Sequence, residues 1–410
     1  MRKNLFYLLL ILITTLTISL VACSPSFVGL DLNSDRLSSS SSNNNNDTNY
    51  LEGTPADYQV SINTVTPTII EGGLPEVVQE VRDTVVSLSC ITIDGDGNEG
   101  NSSGSGVFFA TDETNNSSFI LTCCHVIDQA TEIVAILIDG TELDCEFIGG
   151  DDEKDIAVLK TSGIFPTADV RNLLDEGGAP LKLAESVFAI GNPLGTLGGS
   201  VTQGIISGTE RIINMDGVSM NLLQIDVAVN PGNSGGPLFD YSGALVGIVN
   251  AKSVGTDVEG IGYAIKIDDA IDIAESLLST AGNPDYEYKG YIEGKVRLGV
   301  TVQGALNNEE NKYFYSIVAL NVYGSVAQYN ATAAIDKKIF INDIITGIII
   351  SEETIYFTDI NTLGDIVKSL EVGDVIKLLI KHPTNYNFIT GWAYEEREIE
   401  ITMVQYVYGL

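Results

Sequence analysis

The chain has 410 residues, more than one ordinary hydrophobic core accommodates, so two or three domains are expected. Its 55 acidic residues outnumber 21 basic ones, for a formal net charge of −34. A surface so negative repels nucleic acid and anionic lipid, which removes nucleic-acid binding from the functions to consider. Hydrophobic residues make up 44% of the chain, and 41 Gly and 11 Pro punctuate many short Val/Ile runs. That combination predicts a mainly β protein with tight turns.

The N-terminus predicts a location. Met1-Arg2-Lys3-Asn4 is a short basic start, and Leu5 to Ala22 is apolar and uncharged. A basic start, an apolar run and small residues before a cut describe a secretory signal over residues 1–22. Leu20-Val21-Ala22-Cys23 resembles the bacterial lipobox, which implies that Cys23 is lipidated and anchors the chain on the outer face of a bacterial cell membrane. A plain membrane-spanning anchor is the alternative, since the run approaches the ~20 apolar residues that span a bilayer. Either reading leaves the rest of the chain extracytoplasmic. Residues 23–73 are Ser/Asn-rich, with Ser38 to Ser42 and Asn43 to Asn46 as pure runs, and read as a disordered tether.

The first folded region is expected over residues 74–280. Short Val/Ile-rich runs between Gly, Asn and Asp turns predict strands at Val85–Ile93, Gly106–Ala110, Phe119–Cys123, Glu132–Ile138, Glu142–Gly149 and Ile156–Lys160. More follow at Ser186–Ile190, Val201–Gly208, Leu222–Val227, Pro237–Phe239 and Ala244–Asn250. Many short strands suggest a barrel or sandwich, closed by an amphipathic helix at Ile267 to Leu278. Residues 281–290 read as a linker. Residues 291–410 read as a small α+β domain, with strands near Val296–Val302, Phe314–Ala319, Val375–Ile380 and Arg397–Met403 and a helix near Thr362–Ser369.

Two patterns suggest sites and fall short. Asp94-Gly95-Asp96-Gly97-Asn98-Glu99-Gly100 alternates like a calcium loop, but its sixth position is Glu99 and its twelfth Ser105, where such loops need Gly and Glu; a hairpin turn fits better. Beyond Cys23, the cysteines are Cys90, Cys123, Cys124 and Cys145. They lack a Cys-x-x-Cys pair and have only two His to accompany them, so no metal and no cofactor is expected. They read as buried thiols or one structural disulfide, with three full pairings open.

Chemistry concentrates at three places. In Asn230-Pro231-Gly232-Asn233-Ser234-Gly235-Gly236-Pro237 a Ser sits on a Gly-rich turn that exposes its hydroxyl. The N–H groups of Gly232 and Ser234 could stabilise an oxyanion there. In Ile120-Leu121-Thr122-Cys123-Cys124-His125-Val126 a His ends an apolar strand, and the other His, His382, precedes Pro383 in what reads as a polar turn. In Asp151-Asp152-Glu153-Lys154-Asp155-Ile156-Ala157-Val158-Leu159, Asp155 directly opens an apolar strand, while Asp151 and Asp152 read as solvated. A buried Asp155 would fix the tautomer of His125, the general base for a Ser234 nucleophile. The order His125, Asp155, Ser234 is that of chymotrypsin rather than of subtilisin or the α/β-hydrolases.

With these blocks in sequence the chain resembles the HtrA (Deg-type) serine proteases. Further matching pieces are Gly104-Ser105-Gly106-Val107, Ala189-Ile190-Gly191-Asn192-Pro193-Leu194-Gly195, Gly204-Ile205-Ile206-Ser207-Gly208 and Gly260-Ile261-Gly262-Tyr263-Ala264-Ile265. The resemblance implies a chymotrypsin-like double six-stranded β-barrel protease domain, catalytic residues His125, Asp155 and Ser234, and assembly as a homo-oligomer, often a trimer. The family usually has Thr-Asn or Ala-Ala before the His, where this chain has Cys123-Cys124. Ala228, six residues before Ser234, gives an uncharged base to the substrate pocket, and the resemblance places Asn250 and Ala251 beside it. The second region resembles a PDZ domain through Arg297-Leu298-Gly299-Val300 as the peptide carboxylate loop, Gly324-Ser325-Val326-Ala327, Ile344-Ile345-Thr346-Gly347 and a helix near Leu363–Leu370. The expected function is an endopeptidase acting on unfolded or damaged proteins. A non-cleaving peptide-binding chaperone or adhesin on the same scaffold is the alternative.

Overall fold

The computed structural model describes residues 58–67, 73–93, 97–173, 179–192, 199–215, 218–230, 232–251, 260–283, 287, 289–307, 311–320, 324–387 and 391–408. The signal segment, Cys23, the tether up to residue 57 and Asp94 to Asp96 lie outside them. Two short strands come first, β1 (Ser61–Ile62) and β2 (Thr64–Val65). Seven follow: β3 (Val85–Ile93), β4 (Glu99–Asp112), β5 (Ser117–Thr122), β6 (Ala130–Ile136), β7 (Glu142–Asp144), β8 (Glu146–Asp151) and β9 (Ile156–Ser162). They pair in the order β7-β6-β3-β4-β5-β9-β8, with β1 added on β4. From Leu88 onward β3 alternates: Leu88 and Cys90 point inward, Ser89 and Ile91 outward, as the two-residue pleat requires. β5 is buried along its whole length, because it crosses the middle of this sheet.

The second sheet uses β10 (Val170–Arg171), β11 (Ser186–Gly191), β12 (Ser200–Met215), β13 (Val218–Ile225), β14 (Pro237–Asp240), β15 (Leu245–Asn250) and β16 (Gly262–Lys266). β14 pairs with both β11 and β15, which closes six of these strands into a ring; β10 and β2 extend it in parallel beside β15. Val187, Ala189, Ile206, Leu223, Leu238 and Val249 fill that ring. Phe108, Phe119, Phe188 and Phe239 are fully buried, each contributing about 1.5–3 kcal/mol by its removal from water. The mainly β, two-barrel expectation therefore holds in outline. One sheet closes with six strands, and the other stays open with eight.

One boundary moves. The folded region begins before residue 74: β1 and β2 pair with β4 and β10, and Tyr58 packs edge-on against Phe119, so the expected tether is shorter at its C-terminal end. A helix at Leu74–Val81, with Pro75 in its first turn, buries Val77 and Val81; it was not anticipated. The closing helix, Ile267–Thr280, turns Ile267, Ala270, Ala274, Leu277 and Leu278 to the core. It lies on β8, β9 and β15.

The last region holds β17 (Val300–Asn307), β18 (Lys312–Leu320), β19 (Ile344–Ile350), β20 (Glu353–Tyr356), β21 (Val375–Asn387) and β22 (Gly391–Thr402). Helices at Ser325–Thr332 and Thr362–Lys368 accompany them. The order is β17-β18-β19-β21-β22, with β20 on β19, so β17 is an edge strand. The region has its own core around Tyr315, Ile345, Phe357, Leu378 and Ile401, yet it is tied to the first core. Gly290 bridges Gly149, and Ile292 and Tyr408 pack on the first core. No described helix is long and apolar enough to cross a membrane.

Candidate active site

β5 ends at Thr122, Cys123 continues the extended backbone, and a single helical turn, Cys124–Ile127, lifts His125 out of the barrel wall. The two thiols diverge: Cys123 Sγ lies 3.6 Å from the Val249 carbonyl and Cys124 Sγ 3.1 Å from that of Ile156. The turn from β8 to β9 delivers Asp155 in a left-handed conformation, φ 56°. Such a backbone is costly for a non-glycine residue, and here it is held from both sides. Asp155 Oδ1 accepts the His125 backbone N–H at 3.0 Å, and Oδ2 lies 2.6 Å from His125 Nδ1. Asn250, the last residue of β15, donates Nδ2–H to the same Oδ2 at 2.9 Å. Asp155 is 4% exposed, so its carboxylate is held by these contacts rather than by water.

Ser234 sits on the turn that leads into β14. Gly232 and Gly235 have φ of 99° and 78°, in the region that favours glycine. Asn233 N–H donates to the Asn230 carbonyl and Gly236 N–H to that of Asn233, both at 3.0 Å. The turn is pressed onto the His125 segment. A Cβ on Gly235 would lie 2.2 Å from Thr122 Oγ1 and 2.9 Å from the Cys123 nitrogen. A Cβ on Gly104 would meet both Val126 and the Ser234 carbonyl. Among the described residues, the N–H groups of Gly232 and Ser234 donate to no backbone carbonyl.

Ser105, fully buried on β4, fastens this turn. Its N–H donates to the Ser234 carbonyl at 2.9 Å, and its hydroxyl donates to the Gly232 carbonyl at 2.7 Å. The same hydroxyl accepts the Asn192 N–H at 2.9 Å, while Thr122 Oγ1–H donates to the Ser105 carbonyl at 2.8 Å. Sequence reasoning placed Ser105 in a matching block without giving it a task, because nothing local distinguishes a hydroxyl that binds 127 residues away.

Other sequence expectations change here. Asn250 was expected to line the substrate pocket; its side chain instead turns to Asp155 and is fully buried. Ala228 is exposed, and its carbonyl accepts from Asn233 Nδ2 at 3.3 Å; Ala251 follows β15 directly. Asp151, read as solvated, is buried: its Oδ1 accepts the N–H groups of Glu153 and Lys154 and faces Lys295 Nζ at 2.7 Å. His382, read as lying in a turn, is on β21 with Nδ1 2.5 Å from the fully buried Asp343. It belongs to the second region's framework. Cys90, Cys123, Cys124 and Cys145 are all free thiols. Burial pushes Cys90 up to about 11 and Cys145 up to about 12. Cys90 pairs with Ile133, and Cys145 bonds to the other side of Ile133. Two strand spacings of roughly 4.8 Å then separate the two cysteines, too far for a disulfide.

The expected carboxylate loop faces this centre. Gly299 is left-handed at φ 78°. The Arg297 guanidinium reaches across to Asp152 at 2.6 Å and Glu153 at 3.0 Å, stacking 4.3 Å from the Tyr406 ring. Burial alone would raise the Glu153 carboxyl, but Lys295 and Arg297 outweigh it and hold the group below its ordinary value. A cleft of about 1020 Å³ is lined by His125 and Asp155 on one side and by Leu298, Val300, Leu363 and Val367 on the other. It joins the His–Asp pair to the groove between β17 and the Thr362–Lys368 helix.

Fold and geometry together define a peptidase-type scaffold, and comparison of the sequence with known proteins agrees. Residues 104–248 match the family of the trypsin-like peptidase domain, a span that contains His125, Asp155 and Ser234. The chain is 38% identical over 250 residues to the serine protease Do-like HtrA of Bacillus subtilis, covering 60% of this chain and 50% of that protein. It is 41% identical over 187 residues to a probable periplasmic serine endoprotease, DegP-like, of Halomonas elongata, covering 45% of this chain and 36% of that one. The crystal structure of the serine endoprotease from Yersinia pestis is similar with a TM-score of 0.44 at 26% identity, over 81% of this chain and 97% of that one. The chain thus carries a trypsin-like peptidase domain whose homologues are HtrA- and DegP-type serine proteases. It spans half or less of the length of these curated relatives.

Proposed function

We propose that this chain is an extracytoplasmic, lipid-anchored serine endopeptidase of the HtrA type that cleaves unfolded or damaged proteins. The observation that carries the reading is the 2.6 Å contact of His125 Nδ1 with Asp155 Oδ2, with Ser234 on the glycine turn packed against the His125 segment. With Nδ1–H donated to Asp155, the neutral imidazole keeps its lone pair on Nε2. His125 can then take the Ser234 hydroxyl proton as Oγ attacks a peptide carbonyl, and return it to the leaving amine. The N–H groups of Gly232 and Ser234 would hold the tetrahedral oxyanion, and water would release the acyl group through the same base.

The uncharged Ala228 supports cleavage after small or medium aliphatic residues. The edge strand β17 and the loop Arg297-Leu298-Gly299-Val300 support capture of peptide C-termini by strand addition, with an apolar last residue favoured by Leu298 and Val300. Arg297 is engaged by Asp152 and Glu153, so the backbone N–H groups of the loop carry the carboxylate. Secretion and anchoring rest on the Leu20-Val21-Ala22-Cys23 junction, and a trimer on family resemblance.

Digestion of a permanently unfolded protein tests the reading. Wild type should cut it and Ser234→Ala should lose several orders of magnitude in rate. Equal rates would reject catalysis and favour the non-cleaving binding module.

A further inference from the structure

The pair Cys123-Cys124 replaces the Thr-Asn or Ala-Ala usual before this His, and only one of the two thiols joins the catalytic cluster. Cys124 turns to the Ile156 carbonyl and is buried, and burial, with the nearby Asp155 charge, pushes its thiol well up. Cys123 turns the other way. Its Sγ, a ring nitrogen of His125 and a carboxylate oxygen of Asp155 all lie within 4.8 Å of one another. A thiol, an imidazole and a carboxylate form a donor set for a borderline-soft divalent ion. Tetrahedral zinc at about 2.0–2.3 Å from each ligand requires the 2.6 Å contact of His125 Nδ1 with Asp155 Oδ2 to open by roughly 0.7 Å and the Cys123 sulfur to draw in by roughly 1 Å, within the reach of side-chain rotation. The ring of His125 is 24% exposed and lines the cleft, while Cys123 and Asp155 lie buried behind it, so an ion reaches them as the ring swings outward, with water in its fourth position.

We propose that Cys123, His125 and Asp155 form an inhibitory site for Zn²⁺, to which its spectroscopic analogue Cd²⁺ also binds. The binding itself is independent of the peptidase reading; inhibition rests on it. The Cys123 thiol gives its proton to solvent, and the sulfur, the Nδ1 lone pair and one Asp155 oxygen each donate an electron pair to the ion. The imidazole stays neutral by exchanging its Nδ1 proton for one on Nε2, so a single proton leaves per ion bound. A ring protonated at Nε2 and metallated at Nδ1 has no lone pair left for the Ser234 hydroxyl, which is why the ion stops turnover. A chain with Thr or Ala in place of Cys123 lacks the soft ligand that makes the cluster a site.

The test uses the full chain with Cys23→Ser, so that its thiol is silent. Cd²⁺ is titrated while sulfur-to-cadmium charge-transfer absorption is recorded, with unchanged circular dichroism as the check that each variant folds. Wild type, Cys124→Ala and Ser234→Ala should show one equivalent of absorption that Cys123→Ala and Cys123→Ser both lose. His125→Ala should weaken Cd²⁺ by at least about tenfold. In parallel, Zn²⁺ should inhibit wild type reversibly, with a chelator restoring the rate, while Cys123→Ser keeps most of its own metal-free rate at that concentration. Full cadmium–thiolate absorption in folded Cys123→Ala, or none in wild type, overturns the site. If no form cleaves protein, the absorption still decides the site, and the peptidase reading fails separately.

Discussion

At the level of single residues, the proposed site depends as much on the atoms that hold His125, Asp155 and Ser234 as on those three side chains. Asn250 and Ser105 are the clearest cases. Removing the Asn250 amide leaves Asp155 Oδ2 with His125 as its described partner, so Asn250→Ala should lower kcat with little change in KM, because the imidazolium it helps to orient exists only during turnover. Ser105→Ala strands the Gly232 carbonyl and the Asn192 N–H in a dry interior. That should cost about 1–3 kcal/mol of stability, and up to about 100-fold in kcat through displacement of the turn. Thermal unfolding and steady-state kinetics separate the two effects, and a variant with wild-type values in both would show that the clamp is idle. Gly235→Ala meets Thr122 Oγ1 and the Ser105 carbonyl within 2.4 Å at a left-handed φ, so it should abolish activity and destabilise the barrel together. The three candidate residues stood out in the sequence because His125 follows an apolar strand, Asp155 opens one and Ser234 sits on a Gly-rich turn. Asn250 and Ser105 were not, since their partners are 95 and 127 residues distant, and residue type alone does not fix where a side chain turns.

Among elements, the least anticipated feature is the link between the β8–β9 turn and the start of the second region. The sequence shows four acidic residues before Ile156 and two basic ones at Lys295 and Arg297, but only the fold brings them together. Strands were legible where alternation was clean, as in Val85–Ile93, which matches β3 residue for residue. Boundaries failed where two short strands abut at Cys145, or where β12 runs on past Gly208 to Met215. A double-mutant cycle of Arg297→Met with Asp152→Asn should give a coupling on the order of 1 kcal/mol, since both side chains are partly shielded. Acid should loosen the same contact. Glu153 has a folded-state value held below its ordinary 4.5, so it adds stability above the unfolded value and loses it as pH falls through the folded one. Accessibility of this junction to a protease at low pH, compared with an Arg297→Met chain, measures the effect; an acid response unaltered by Arg297→Met would place its origin elsewhere.

For the molecule as a whole, the two regions are not beads on a string. Ile292 and Tyr408 cover the first core, and a Cβ on Gly290 would collide with Leu277, so the chain past residue 280 completes the peptidase region. Truncation after Thr280 should therefore destabilise that region by a few kcal/mol as well as remove the β17 groove, and a melting temperature equal to that of the full chain would contradict the packing. The central claim is that Ser234, activated by His125 and Asp155, is the nucleophile. Covalent labelling with a serine-directed phosphonate, followed by mass spectrometry of the peptide containing residue 234, tests it most directly. The account predicts stoichiometric modification of Ser234 with parallel loss of proteolysis, and labelling slowed by orders of magnitude in His125→Ala. Proteolysis that survives complete labelling, or modification at another residue with Ser234 untouched, would contradict it.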